Sequence, residues 1–403
     1  MNHIPVVSII IPVYNGSNYL KDAIDSALNQ TYKHCEVIVV NDGSCDEGKT
    51  EDICLSYSDR IRYFKKDNGG VASAVNFGIR EMRGEYFSWL SHDDWYYPEK
   101  IQNQIEALRS SGDLKAIAFG NFHFYSMPEK FKSLFALETM RDPAKLTEGI
   151  YPALFGIVHA CVMLVHKSHI ERAGLLDESL LTTQDIEWIF RLFRYQKTLF
   201  LDQPLIAVRL HSQQGKHHIS CFSDEQASTH IEFLKRISND EIISLFGTEY
   251  GFYHQISEFY SNDGNSAAFD YAKRRFENTE KPACVLESIQ TLRKKLNMLS
   301  NSKARQICIF CAGEFGRRLN RALLQRDIHV DCFSDNNPSL WYTTTDGVCC
   351  VPPKDIDKTN TLIIVAHQEP LQLTKTLMDE GFSYVFPLNE LTADINSALP
   401  LYL

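Results

Sequence analysis

Short apolar runs that end abruptly in polar clusters set the pattern of the first hundred residues. Val6-Val7-Ser8-Ile9-Ile10-Ile11 runs into Pro12-Val13-Tyr14-Asn15-Gly16, Glu36-Val37-Ile38-Val39-Val40 ends in Asn41-Asp42-Gly43-Ser44, and a third run closes on Trp89-Leu90-Ser91-His92-Asp93-Asp94. Near-continuous apolar runs of this length suit strands buried on both faces, as in a parallel sheet. Helical stretches lie between them, such as residues 20–28 with Leu20, Ile24, Ala27 and Leu28 on one face. The alternation predicts an α/β domain whose polar clusters gather at the carboxyl edge of the strands, where such sheets bind ligands. An aromatic ring, amides and carboxylates collected there suit a nucleotide with a place for a cation.

Further along, residues 121–222 are mixed, with an apolar strand expected at Ala160–Val165 and a helix at Asp185–Phe193. This half is expected to cover the sheet and build the second wall of a cleft. Residues 223–302 read as a helical segment, near whose end Val285, Ile289, Leu292, Leu296 and Leu299 fall on one stripe. Two heptads predict a helix packed on its neighbours; a homodimer through a coiled coil is the alternative. The adjacent Lys294-Lys295 reads as a solvated face, with peripheral membrane contact as the alternative. A new α/β rhythm begins at 303, with strands expected at Ile307–Phe310, Val330–Phe333 and Thr361–Ala366, and it predicts a small Rossmann-like domain over 303–403. The expected division is therefore 1–222, 223–302 and 303–403.

At 403 residues the chain exceeds one ordinary core, and 44% hydrophobic with 23% charged residues is the composition of a globular protein. The formal net charge of -10 gives no global attraction to nucleic acid, which is excluded as an expected partner. The eleven cysteines are odd in number and scattered through apolar segments, as in a reducing compartment. Cys308 and Cys311 form one C-x-x-C, but in a strand they point to opposite faces, against a redox or metal role. Ile4-Pro5-Val6-Val7 continues straight into a strand without a charged-then-apolar signal, and no run approaches the ~20 apolar residues that span a bilayer. The expected location is cytoplasmic.

Seven segments occur in an order that resembles the family 2 inverting glycosyltransferases of the GT-A fold: SIIIPVYNGSNYL (8–20), VIVVNDGS (37–44), DNGGVASAVNFGI (67–79), WLSHDDWYYPEKI (89–101), GLLDESL (174–180), TTQDIEWIFRL (182–192) and VRLH (208–211). The resemblance implies a GT-A nucleotide-diphospho-sugar transferase domain, followed here by the helical segment and the small Rossmann-like α/β domain. It implies that Pro12, Tyr14 and Asn15 line a nucleotide, usually uridine, with Asp42 accepting from the ring N–H. A carboxylate accepts from an imide and an aromatic face stacks on a pyrimidine, so the residue chemistry agrees; Asp42-Gly43 is also a common turn pair. Asn68, Gly69, Gly70 and Asn76 resemble the segment laid along ribose and diphosphate.

Asp93 and Asp94 occupy the place of the family's D-x-D metal motif, for which the resemblance implies Mn2+ or Mg2+, but the first acidic position is Ser91. Hard cations take carboxylate oxygens. His211 aligns with a histidine that serves some relatives as a ligand, and Asp94 has the alternative role of a helix cap. Asp185 matches the catalytic aspartate of the family's E-D signature, with Gln184 replacing the preceding acid. Inversion by direct displacement requires a base for the acceptor hydroxyl, and a carboxylate serves.

The implied partners are a UDP-sugar donor and a glycan or lipid-linked oligosaccharide acceptor, in bacterial surface polysaccharide synthesis at the inner face of the membrane. In the C-terminal domain, Cys311-Ala312-Gly313-Glu314-Phe315-Gly316 lacks the first glycine of G-x-G-x-x-G, while Asp335 follows at the distance of a ribose-binding acid. Gly313, Gly316 and Asp335 are thus candidate ligand residues, beside a purely structural reading. Two other functions compete. A sugar nucleotidyltransferase is disfavoured because Pro-Val-Tyr-Asn replaces a glycine-rich loop after the first strand; a glycan or nucleotide-binding module with a decayed D-x-D remains.

Overall fold

All seven residues of β1 (Val7–Val13) are buried, so this strand belongs inside a sheet rather than at its edge. A computed structural model places it there and describes residues 4–126, 131–135, 143–211, 221–263, 265–280, 304–324, 328–367 and 370–388, with 290, 292, 294–296 and 298. The chain forms two compact units, Met1–Asn278 and Thr279–Leu403.

After β1 the first unit runs through α1 (Leu20–Leu28), β2 (Cys35–Asn41), α2 (Lys49–Ser56), β3 (Arg62–Lys65), α3 (Gly70–Glu81), β4 (Tyr86–Trp89), β5 (Trp95–Tyr96) and α4 (Lys100–Ser111). It continues with β6 (Ile117–Ser126), β7 (Phe131–Phe135), α5 (Tyr151–Leu154), β8 (Val165–His166), α6 (Lys167–Ala173), α7 (Gln184–Phe193) and β9 (Thr198–Leu210). Four helices close it: α8 (Phe222–Arg236), α9 (Asn239–Phe246), α10 (Glu249–Asp263) and α11 (Ser266–Asn278).

The main sheet has the order β3-β2-β1-β4-β8, parallel except for β8. Val13 pairs with Asn41 and Ile10 with Trp89, so the chain leaves β1, β2 and β4 along one edge, at Tyr14, Asp42 and Leu90. A second sheet, β5-β9-β6-β7, pairs Trp95 with Ala207 antiparallel. That pairing brings the Asp93-Asp94 turn beside the end of β9, which carries Arg209, with His211 just beyond. The run expected as a strand over 160–165 is instead a 3-10 turn over Ala160–Val162, after which Leu164 bridges Ala118 of β6 and Val165–His166 pairs with β4. His159 Nδ1 accepts the Cys161 N–H at 3.2 Å and caps that turn; a short apolar run fixes burial without fixing conformation.

Helices α8 to α11 pack into the core of the first unit through residues such as Phe233, Phe246, Phe252 and Tyr260. Phe233 stacks on Phe190 of α7 with ring centroids 4.2 Å apart.

The second unit contains β10 (Gln306–Phe310), α12 (Glu314–Leu324), β11 (Cys332–Ser334), β12 (Thr344–Thr345), β13 (Val348–Val351), β14 (Thr361–Val365), α13 (Pro370–Asp379) and β15 (Tyr384–Pro387). Its sheet has the order β12-β13-β11-β10-β14-β15, parallel except for β12. Leu292 and Leu296 of the apolar stripe are buried in this unit's own core, while Val285, Ile289 and Leu299 lie outside the described residues. The expected α/β class, with helices and a further small α/β sheet after the first sheet, is the class observed. Among the described residues no helix is long and apolar enough to cross a membrane.

Candidate active site

The edge where β1, β2 and β4 end opens into a cleft of about 630 Å³ lined by Pro12, Tyr14, Asp42, Asn68, Gly70, Ser91, His92, Asp93, Leu181, Thr182 and Gln184, among others. Tyr14 is 46% exposed, a free aromatic face at the rim. Asn15, with φ of 49°, turns the chain sharply there; its N–H donates to Ser44 Oγ at 2.9 Å and its Oδ1 accepts the Cys45 N–H at 2.8 Å. The loops after β1 and β2 are thereby locked together.

Asp42 is nearly buried, and its carboxylate is held by Lys66 Nζ at 2.6 Å and by the Gly70 N–H at 2.8 Å, with the Gly69 N–H at 3.1 Å. Gly43, after Asp42, has φ +73°, and a side chain there would meet Asn68 N at 2.7 Å. The same carboxylate sits at the N-terminus of α3, where a negative charge is favoured. The paired glycines thus direct their N–H groups at Asp42. Asn68 Nδ2 donates to the Asp42 carbonyl at 2.9 Å. Asn76 is buried outside the cleft lining and anchors a loop instead: its amide donates to the Leu176 carbonyl and Glu178, and its Oδ1 accepts the Leu176 N–H.

Asp93 and Asp94 have different surroundings. Asp93 lines the cleft, with Oδ2 3.0 Å from His211 Nε2. Asp94 is buried, accepts the Arg209 backbone N–H at 2.9 Å, and lies with His159 and Cys161 in a group whose ligand atoms are within 4.8 Å of one another. Burial, with Asp93 beside it, pushes the Asp94 carboxyl well above the usual carboxylate range. It caps no helix, since α4 begins at Lys100 behind Glu99. Gly16 packs so tightly against His92 that a Cβ would fall 2.4 Å from the ring, and burial lowers the His92 pKa.

Asp185 occupies the first turn of α7 behind the cap residue Thr183. Its Oδ1 accepts the Ile186 N–H at 2.9 Å, and burial raises its pKa. The neighbouring Gln184 lines the cleft, and its Oε1 is buried with no hydrogen-bond partner.

Residues 8–172 match the family model described as Glycosyl transferase family 2. An uncharacterized glycosyltransferase of Rickettsia typhi is 41% identical over 270 residues, which cover 66% of this chain and 84% of that protein. The chain belongs to glycosyl transferase family 2. It spans about two fifths of the length of the relatives it matches in Rickettsia bellii, R. conorii and R. felis, at 43–44% identity. The minor teichoic acid biosynthesis protein GgaB of Bacillus subtilis is 32% identical over 173 residues, 40% of this chain and 18% of that protein. Residues 1–349 of Staphylococcus aureus TarS, solved with UDP-GlcNAc, align with a TM-score of 0.45 at 12% identity, covering 68% of this chain and 91% of that one.

A divalent cation at this edge would find its donors in Asp93 and His211. Cis ligands of an octahedral ion bound at ~2.1 Å are about 3.0 Å apart, and Asp93 Oδ2 and His211 Nε2 are 3.0 Å apart. The buried His211 Nδ1 has no hydrogen-bond partner, so the side of the ring away from Asp93 is held by packing, with Tyr19 5.0 Å off. The cleft and this pair fit the cation.

In the second unit, Cys311 has φ +79°, the conformation that the missing glycine of the motif would have supplied. Burial pushes its thiol up to about 11. Gly316 is obligatory, since a Cβ there would lie 2.0 Å from the Cys311 carbonyl oxygen, whereas Gly313 faces open space. Asp335 spends both oxygens on its own loop, accepting the Ala312 and Asn337 N–H groups at 2.9 Å each.

Two residues at the cleft were not singled out from sequence. Lys66 pairs with Asp42, and a lysine just before Asp67-Asn68-Gly69-Gly70 is a weak signal for it. Glu225 accepts from the loop that carries Gln184 and Asp185, and nothing in the sequence around it points there.

Proposed function

We propose that the chain is an inverting glycosyltransferase that moves a sugar from a UDP-sugar to a hydroxyl of a glycan acceptor in surface polysaccharide synthesis. The observation that carries this reading is the single cleft onto which an exposed Tyr14, the braced Asp42, the Asp93 beside His211 and the 181–184 loop all converge. Pro12, Tyr14 and Asn15 form the wall for the base, Asp42 accepts from its imide, and Asn68 with Gly70 lines the path of ribose and diphosphate. Asp93 and His211 would hold the divalent cation, which when bound neutralises charge on the departing diphosphate.

Asp185 serves as base. As the acceptor oxygen attacks the anomeric carbon, its proton passes to the Asp185 carboxylate, the bond to the diphosphate oxygen breaks, and UDP leaves with the electron pair. Attack from the side opposite the leaving group inverts the anomeric centre. Burial raises the Asp185 pKa, so its carboxylate holds a proton better than an exposed one. The teichoic acid protein among the relatives supports a polymeric glycan acceptor, and the second unit is assigned a structural or ligand-positioning role without hydride chemistry. The test is a donor screen: thermal shift and slow hydrolysis across UDP-sugars with manganese or magnesium. Stabilisation by UDP and release of UDP from at least one donor are expected; no response to any uridine nucleotide would overturn the reading.

A further inference from the structure

Helix α8 lies in a stretch read from sequence only as a helical segment, yet it reaches the loop that lines the cleft. The Glu225 carboxylate accepts from three consecutive residues of the loop before α7: the Leu181 N–H at 2.9 Å, the Thr182 N–H and hydroxyl at 2.7 Å each, the Thr183 N–H at 2.8 Å and the Thr183 hydroxyl at 2.9 Å. One turn on, Thr229 Oγ1 lies 2.9 Å from the same Thr183 hydroxyl. Two turns on, Phe233 stacks on Phe190 of α7, and Arg194 at the end of α7 donates to the Arg236 carbonyl at 2.7 Å. Glu225, Thr229 and Phe233 therefore form one stripe of α8 at spacing four, laid along α7 in the same direction. The aromatic stack sets the register, and the register delivers the carboxylate to the loop.

Such a device exceeds what helix capping needs. Thr183, the cap residue of α7, makes no side-chain cap hydrogen bond, and its hydroxyl is turned to Glu225 instead. Leu181 and Thr182 line the donor cleft, as does Gln184 just after Thr183. Burial works against the Glu225 charge, but the bonds from Leu181, Thr182 and Thr183 hold its pKa down at about 2, so the clamp stays closed across the working pH range of any cytoplasmic enzyme.

We propose that Glu225 is a positioning residue for catalysis: by fixing Leu181, Thr182 and Thr183 it sets where Gln184 stands in the cleft and where Asp185, the next residue of α7, is held. This rests on Asp185 being the base. A misplacement of about 1 Å costs an enzyme roughly a hundredfold in rate, which is the scale on which a released loop would act.

The experiment compares full-length wild type, Glu225→Gln and Glu225→Asp. Each is assayed for manganese-dependent hydrolysis of UDP-glucose, UDP-galactose, UDP-N-acetylglucosamine and UDP-N-acetylgalactosamine, and for amide hydrogen exchange at 181–183. Glu225→Gln keeps length but turns an N–H group toward N–H donors. It is expected to lower kcat by roughly a hundredfold with KM for the donor within about threefold, and to speed exchange at the three amides by about tenfold or more. Glu225→Asp, which keeps the charge on a shorter arm, is expected in between; it carries the test if Glu225→Gln fails to fold. Wild-type kcat in either variant, a loss confined to KM, or unchanged exchange at 181–183 overturns the role. The exchange arm decides even if none of the four donors is turned over. Wild-type turnover by Asp185→Asn would instead overturn the base assignment alone.

Discussion

Asp42 and Asp335 stand at matching places in two parallel sheets, each just past a strand that pairs with the strand before it. Both carboxylates accept backbone N–H groups from a neighbouring glycine-containing turn. Asp42 is also paired with Lys66 and lines a cleft of about 630 Å³ beside an exposed tyrosine. Asp335 bonds to Ala312 and Asn337, and the nearby cavity of about 340 Å³ is lined by Asn336, Trp341 and Lys354, among others, and by neither Asp335 nor the two glycines. Topology delivers an acid to the edge of a parallel sheet in either case. Local groups bond to both oxygens of each acid, so whether it can meet a ligand depends on the cavity beside it, and only Asp42 of the two lines one.

The sharpest way to break this contrast is at the base. Asp185→Asn keeps size and hydrogen bonding but removes proton affinity, so transfer should fall by at least about a hundredfold, with UDP binding by calorimetry unchanged. The pH profile of the wild type carries a sign. As the proposed base Asp185 must be ionised to act, and burial raises its pKa, so activity should fall as pH drops through a value above the ordinary carboxylate range. A profile flat down to the range of an exposed aspartate would exclude it as the base. At the cation, a chelator should stop turnover and manganese restore it, while Asp93→Ala should lose roughly a hundredfold, since such a cation supplies several kcal/mol at a departing diphosphate. Full activity in excess chelator would mark a site that works without metal.

Much of this cleft is legible in the sequence because its parts are local. A strand, a turn and an acid are contiguous in Val39-Val40-Asn41-Asp42-Gly43, and strand order alone then brings Tyr14 and Asp93 to the same edge. Asn76 shows where locality misleads: a polar residue in a motif-like helix is spent on the 176–178 loop, a hundred residues away. The Ala160–Val165 run shows the same limit for conformation, since a His159 cap within an equally apolar environment selects a turn over a strand. Glu225 lies 42 to 44 residues from its partners, and only the packing of Phe233 on Phe190 could reveal it.

Smaller effects sharpen the comparison between the two acids. Asp42→Asn should weaken UDP binding by about ten- to a hundredfold, the worth of a hydrogen bond to a charged group, whereas Asp335→Asn should leave UDP affinity alone and lower only thermal stability. Equal losses of UDP affinity in both variants would erase the distinction. Gly316→Ala tests the tight turn: the added methyl meets the Cys311 carbonyl oxygen, an overpacking that costs about 1–3 kcal/mol, more than the ~1 kcal/mol that alanine gains over glycine in a helix. A lower melting temperature with unchanged UDP binding is expected.

The smallest effect on the cleft should come from the largest deletion. The cavity-lining residues, Lys66, His211 and Glu225 all belong to the unit that ends at Asn278, and helices α8 to α11 fill that unit's core. A chain ending at Asn278 should therefore bind UDP within about twofold of the full chain, since it keeps every one of these residues, and it should still hydrolyse the donor slowly. Transfer to the native acceptor is the activity free to fall. A chain ending at Cys221 should behave differently, because it loses Glu225 and the Phe233 stack together and leaves Phe190 facing water. If the Asn278 chain folds but no longer binds UDP, or if the Cys221 chain binds it as well as the full chain does, the cleft is not built the way these contacts describe.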